Sequence, residues 1–291
     1  MLIHSLHSEF CQYQKTFKNN TPRTIKWFEE IFNYFVTHME IIHLEQVNRQ
    51  ILMRWFIKGK SEKNWSAKTI RNRMTALSIF FKYCVNEGYL EENPLDKIDK
   101  PKVEKYIPSH LKINEAAYIL DWLKISTFKS LFQKKRAIAI IAMFLYTGLR
   151  LSELMNLKHI DVDFENKTIL IKAGKGRKDR SLPMIRRLEV YLKDYLRYRK
   201  DEVYFFTSIQ KKGIMSSQVI KRLFTKIKKG TEIHIHAHKL RHSFAVQMLE
   251  GGCDIYTLSK LLGHSDINTT TIYLTATQTQ KKKEAEKHPL Y

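Results

Sequence analysis

His238-Lys239-Leu240-Arg241-His242, followed further on by Leu261-Leu262-Gly263-His264-Ser265-Asp266 and Tyr273, decides how this chain is read. In the first stretch, positions i and i+3 share a helix face, so His238 and Arg241 point the same way. Two such donors make a poor structural pair but a good phosphate clamp, because arginine's fork matches phosphate oxygens. In the second stretch, Gly263 ends one helix and Ser265 or Asp266 caps the next. That puts His264 at a turn and Tyr273 one element later. A single tyrosine in a chain holding 14 is more often core than catalytic, so Tyr273 gains meaning only from its company.

Two segments upstream supply that company. In Thr147-Gly148-Leu149-Arg150-Leu151-Ser152-Glu153, an arginine directly follows the apolar run Ala137 to Tyr146. An unpaired buried charge is costly, and Glu153, one helical turn on, is placed to orient Arg150. Alone, this fits an ordinary helix-start ion pair equally well. Between Thr168-Ile169-Leu170-Ile171 and Arg180-Ser181-Leu182-Pro183 lies Gly174-Lys175-Gly176, which reads as the tip of a β-hairpin. Its glycines accept positive φ, so the turn is tight and Lys175 projects. A lysine at a hairpin tip is usually just solvated.

Outward from these segments the chain reads as mainly α with a small antiparallel β-sheet. Residues 1–95 read as helices throughout. Thr21-Pro22 is a start signal, a hydroxyl cap followed by proline at the first helical position. The helix after it places Ile25, Phe28, Ile31, Phe32 and Phe35 on one face. A longer helix from Ser66 to Asn86 carries the stripe Ile70, Met74, Leu77, Phe80 and Phe81, with Lys68, Arg71 and Arg73 outside it. The stretch from Asn93-Pro94 to Pro108 holds three prolines and no sustained period, the mark of a linker. The division expected is a helical N-terminal domain over 1–95, a basic linker over 96–112, a catalytic α+β domain over 113–275 and a tail over 276–291. In the second domain, helices are expected near 113–124, 133–147, 184–199, 216–228, 239–250, 254–262 and 267–275.

Bulk composition narrows the function. Hydrophobic residues make up 43% of the 291 positions and aromatics 12%, enough for two cores and against wholesale disorder. Lysine and arginine total 51 against 29 acidic residues, a formal net charge of +22. An excess of that size repels itself unless an anion neutralises it, and a phosphate backbone is the commonest such partner. A membrane surface would also attract it, but the longest apolar stretch, from Ala137 to Tyr146, is too short to span a bilayer. The N-terminus lacks the basic stretch and apolar core of a signal peptide. Cys11, Cys84 and Cys253 are odd in number and far apart, which points to reduced thiols in a cytoplasmic protein.

The four segments together resemble the tyrosine recombinase (phage integrase) family, and within it the short Xer-like members. The resemblance covers 113–275 in the family's order, and extends more loosely to Ser66 through Leu95, which looks like the family's core-binding, SAM-like domain. It implies a site-specific recombinase that cleaves and rejoins DNA through a 3′-phosphotyrosine intermediate, without metal, ATP or other cofactor. It makes Arg150 and Arg241 the arginines on the scissile phosphate, Lys175 the proton donor to the departing 5′-oxygen and His238 the acceptor of the tyrosine proton. His264 takes the site held by histidine or tryptophan, Tyr273 is the nucleophile and Glu153 supports Arg150. The partner implied is double-stranded DNA carrying a recombination site, with the two domains clamped about the duplex. Two protomers occupy a site and four the synapse; the tail after Thr275 docks on a neighbour. The helix with Lys68, Arg71 and Arg73 is the expected N-terminal DNA face. The need for an accessory protein, and the choice between dimer resolution and integration or excision of a mobile element, stay open.

Three rivals stand beside this reading. A type IB topoisomerase-like enzyme shares the chemistry but relaxes DNA without exchanging partners. A non-cutting DNA-binding regulator fits charge and helices but leaves six polar residues in catalytic order unexplained. A metal enzyme rests on His234, His236 and His238, which would share one face of a strand; no Asp or Glu follows closely.

Overall fold

The computed structural model of the chain describes residues 1–103, 109–172, 179–200, 202–208, 213–264 and 266–274. Packing divides it into two units, Met1–Lys105 and Tyr106–Tyr291. The first holds α1 (Ile3–Thr16), α2 (Pro22–Met39), α3 (Arg49–Lys63) and α4 (Ala67–Asn86). Side-chain caps start three of these helices: Thr21, Asn48 and Ser66 each accept a backbone N–H three residues on, satisfying a donor the helix itself leaves open. The apolar stripes read from spacing are the buried faces. Phe28, Ile31, Phe32 and Phe35 of α2 meet Ile70, Met74, Leu77, Phe80 and Phe81 of α4, with Ile3, Leu6 and Phe10 of α1. Edge-on ring pairs such as Phe10–Phe80 and Phe32–Phe80 lock the three helices together. The core also takes in Leu95 and Ile98, and Arg71 Nε donates to the carbonyl of Pro101 at 2.7 Å. Packing of the first unit therefore continues past position 95, where sequence alone placed its end, because the proline-rich stretch folds back onto α4.

The second unit is built around α6 (Leu131–Thr147), which is buried on every side from Arg136 to Leu145 and whose lack of amphipathicity follows from that position. Against it pack α5 (Ile113–Ile125), α8 (Arg186–Leu196) and α10 (Ala237–Glu250). The unit is completed by α7 (Leu151–Asn156), α9 (Ser217–Thr231), α11 (Ile255–Leu262), α12 (Asn268–Thr271) and a three-stranded antiparallel sheet. Its strands β1 (Val162–Asp163), β2 (Thr168–Ile171) and β3 (Arg180–Pro183) run in that order. The register pairs Ile169 with Leu182 and Ile171 with Arg180. Period-two alternation puts Ile169, Ile171 and Leu182 in the core, and makes Arg180 the first residue of β3. Residues 173–178, Lys175 among them, lie outside the described residues.

Two details position α10. Ser243 Oγ accepts the N–H of Leu111 at 2.7 Å, and Gln247 donates to the Leu111 carbonyl at 3.1 Å, which ties the start of the unit to the middle of this helix. The helix expected over 267–275 is shorter: α12 ends at Thr271. In the run Thr269-Thr270-Thr271, hydroxyls of Thr269 and Thr271 donate back to the carbonyls of Asp266 and Asn268, and such local bonds compete with helix continuation. Tyr273 consequently sits just beyond the helix. Among the described residues, no helix is long and apolar enough to cross a membrane.

Candidate active site

Glu153 is the hub of one half of the site. Arg150 is the N-cap of α7, and the Glu153 carboxylate accepts its backbone N–H at 2.8 Å and its guanidinium at 2.8 Å. The same carboxylate accepts two bonds from Arg180, at 3.0 and 2.9 Å, the bidentate geometry that suits a guanidinium. Burial by itself would raise the Glu153 carboxyl, but hydrogen bonds from Arg180 and Arg150 outweigh it and hold the group at about 2. Both arginines also reach the end of α11. Arg150 donates to the Gly263 carbonyl at 3.0 Å and Arg180 to the Leu261 carbonyl at 2.8 Å. Gly263 turns with φ +64°, and a Cβ there would lie 2.8 Å from Arg180 Nη1, so both the turn and the close approach require glycine.

Arg241 is the hub of the other half. It is buried, and donates to the carbonyl of Gly148 at 2.8 Å, to that of Leu262 at 2.8 Å, and to His264 Nε2 at 2.8 Å. Gly148 closes α6 at φ +61°, with Phe244 filling the space a Cβ would need. Burial lowers the Arg241 guanidinium to about 10, with Arg150 pushing the same way; it remains charged. Arginine can only donate, so His264 Nε2 accepts, and its Nδ1–H donates to Thr270 Oγ1 at 2.8 Å. The tautomer of His264 follows from its neighbours.

Tyr273 is buried, with its hydroxyl 2.8 Å from His242 Nδ1 and the two ring centroids 5.4 Å apart. Burial raises the phenol above its ordinary range, while Arg241 and Arg150 pull it back down. Burial lowers His242 to about 4, with His238, Arg241 and His236 pushing the same way. His238 is exposed in the first turn of α10, its ring 6.5 Å from that of His242.

Of the residues singled out from sequence, the structure joins Arg150, Glu153, Arg241, His264 and Tyr273 in one neighbourhood, with His238 one helical turn from the tyrosine's partner. The ring on the tyrosine hydroxyl is that of His242, where sequence alone assigned the contact to His238. His242 stands at i+4 from His238 within the stretch already singled out, so its place on the same face was there to be read. Arg180 was quoted only as a strand end; its partner lies 27 positions away in sequence, and nothing local marks it.

In the first unit, Lys68 is exposed and Arg71 bonds to Pro101. Arg73, placed by its sequence on the same DNA face, is half-buried. Its guanidinium lies 3.9 Å from the centre of Trp65, 4.6 Å from Tyr34 and 5.6 Å from Trp55, since position 73 borders the buried stripe next to Met74. The alternating histidines form no strand: His236 caps α10 by accepting the N–H of Lys239. Among the described residues, no three His, Cys, Asp or Glu side chains converge to hold a metal ion.

Paired arginines held by one carboxylate, a third arginine bonded to a histidine, and a buried tyrosine hydroxyl near them bring three cationic donors and one phenol into a single site. The chain belongs to the phage integrase family, matched over residues 111–280, and is a tyrosine site-specific recombinase. It is 34% identical over 276 residues to tyrosine recombinase XerA of Thermococcus onnurineus, covering 93% of this chain and 90% of that protein. With tyrosine recombinase XerC of Oceanobacillus iheyensis it shares 30% identity over 295 residues, covering 96% and 94%. The fold is also that of the Tn1549 transposon integrase in complex with transposon right-end DNA, at TM-score 0.79, 22% identity and coverage of 98% and 99%.

Proposed function

We propose that this chain cuts and rejoins double-stranded DNA at a recombination site by attack of Tyr273 on the scissile phosphate. The observation that carries this reading is the position of the Tyr273 hydroxyl, buried against Arg241 with Arg150 close enough to lower its basicity. Attack builds negative charge on the non-bridging oxygens and on the leaving oxygen. Fixed cationic donors stabilise that charge without reorganising at the moment of reaction. Arg150 and Arg241 hold the phosphate, and Glu153 with Arg180 fixes Arg150. His264, its tautomer set by Thr270 and Arg241, and His238, on the open face of α10, supply further donors. Lys175 protonates the departing 5′-oxygen. The product is a 3′-phosphotyrosine that keeps the phosphodiester's energy, so the 5′-hydroxyl of another strand can reverse the step.

Organisation follows the same reading. Residues 1–95, with the stretch to 101 that packs back onto them, are the core-binding domain, and Lys68 and Arg71 on α4 belong to its DNA face. Two protomers sit on a site and four in the synapse, with the tail from 276 engaging a neighbour. The protein works in the cytoplasm, where Cys11, Cys84 and Cys253, free thiols in this structure, stay reduced.

The test is single-turnover cleavage of a nicked suicide duplex without metal, comparing wild type with Tyr273→Phe. A denaturant-resistant protein–DNA adduct in wild type alone is expected. An adduct formed by both proteins would assign the attack to another residue, and recombinant products beyond relaxed circles separate strand exchange from relaxation.

A further inference from the structure

We infer that His242 is the catalytic residue that takes the proton from Tyr273 as it attacks the phosphate. The inference rests on the reading of Tyr273 as nucleophile and deepens it. Among the described residues, the hydrogen bond on the Tyr273 hydroxyl is that of His242, with Arg241 close enough to act on the phenol. A guanidinium carries no acceptor, so Arg241 can only donate to a lone pair of the phenol oxygen. In its Nε2–H tautomer, His242 offers the hydroxyl an Nδ1 lone pair at 2.8 Å. The hydroxyl hydrogen therefore points at His242, and the oxygen keeps its remaining lone pair for phosphorus.

The charged and titratable groups around this ring are His236, His238 and Arg241 on its own helix and Tyr273 from the segment after α12, with Arg150 of the α7 start acting on the phenol. Burial and the neighbouring His238, Arg241 and His236 keep the ring unprotonated at neutral pH, the form that accepts. A scissile phosphate arriving between Arg150 and Arg241 adds negative charge beside the ring and raises its basicity as the reaction needs it. The step balances. The Tyr273 O–H bond breaks and its proton passes to His242 Nδ1. The electron pair left on the oxygen forms the bond to phosphorus, and the bond from phosphorus to the 5′-oxygen breaks, that oxygen taking a proton from its own donor. In the rejoining step His242 returns the proton to the departing phenolate.

The experiment is the suicide-duplex cleavage with His242→Asn, whose side chain keeps a hydrogen-bonding atom near the Nδ1 position but takes no proton, alongside Tyr273→Phe. The variant should bind DNA as wild type does and cleave about 100-fold or more slowly at neutral pH. Its rate should then climb about tenfold per pH unit toward the phenol's own ionisation, where wild type is flat. A duplex with sulfur in place of the bridging 5′-oxygen needs no leaving-group proton, and should leave the defect intact. Cleavage within about threefold of wild type, a slow rate with the wild-type pH profile, or rescue by the sulfur substrate would each overturn the assignment. If His242→Asn fails to fold, His242→Ala with imidazole in the buffer carries the test. Restoration in proportion to free-base imidazole supports the proposal, and no restoration overturns it. A wild-type protein that forms no adduct sinks the recombinase reading itself; an adduct lost in Tyr273→Phe but untouched in His242→Asn sinks only this one.

Discussion

Glu153 receives both Arg150 and Arg180, and its carboxyl stays ionised down to about 2 although burial opposes ionisation. Because the folded-state value lies below the ordinary 4.5, the stabilisation is fully present above pH 4.5 and drains away as pH falls toward 2. The depression corresponds to a stability contribution on the order of 3 kcal/mol. Thermal unfolding followed from pH 6 to pH 3 should show a steep loss in wild type. Glu153→Gln should start lower at pH 7, because two half-buried guanidinium groups lose their counter-charge, and then fall less steeply. Parallel curves for the two proteins would remove Glu153 as the origin of the acid sensitivity. This network also shows what a sequence reveals of a site. Glu153 was legible because it stands one helical turn from Arg150, and His238 and Arg241 because they share a helix face, on which His242, four residues from His238, was passed over. Arg180 was not, since its meaning comes from a carboxylate and a carbonyl that only the fold brings to it.

On α4 the limit of reading by period is visible in a single arginine. The stripe from Ile70 to Phe81 was plain in the spacing, and so were the caps at Thr21 and Ser66. Position 73 borders that stripe, and whether a long side chain there turns outward or inward depends on what faces it. Tyr34 on α2, Trp55 on α3 and Trp65 before α4 form three aromatic walls, and the cation stacks on them. Arg73 Nε and Trp55 Nε1 are buried there without hydrogen-bond partners among the described residues, and the contact is made by ring faces. Arg73→Ala should therefore cost about 1–2 kcal/mol of stability through lost stacking and packing, and leave the salt dependence of DNA binding as it was. Lys68→Ala should do the reverse: an unchanged Tm, weaker binding, and a salt slope shallower by about 1. Melting curves and salt-titrated binding on both variants separate the two roles. A shallower slope for Arg73→Ala alone would return that residue to the DNA face and take Lys68 from it.

At the scale of the molecule, a net charge of +22 does two things that respond to salt in opposite directions. In the free protein, like charges on the surface repel one another, and the compact state gathers them more closely than the unfolded chain does. Several of the ion pairs that offset this are exposed at the surface, such as Lys26–Glu30 and Lys97–Glu92, and pairs of that kind contribute little. Added salt should therefore stabilise the free protein or leave it unchanged, by screening repulsion that exceeds attraction. On DNA the same charges displace condensed counterions, and that gain shrinks as bulk salt rises. For six to ten phosphate contacts, affinity should fall by about 10³ to 10⁵ between 50 and 200 mM salt. Measuring both quantities in one buffer series makes the comparison internal: Tm of the free protein flat or rising, affinity for a site-bearing duplex falling steeply. If both fell together, salt would be acting on the fold, and the basic surplus would have no demonstrated partner. If affinity held level, recognition would rest on contacts other than phosphate, and the charge from which this reading of function began would need a different explanation.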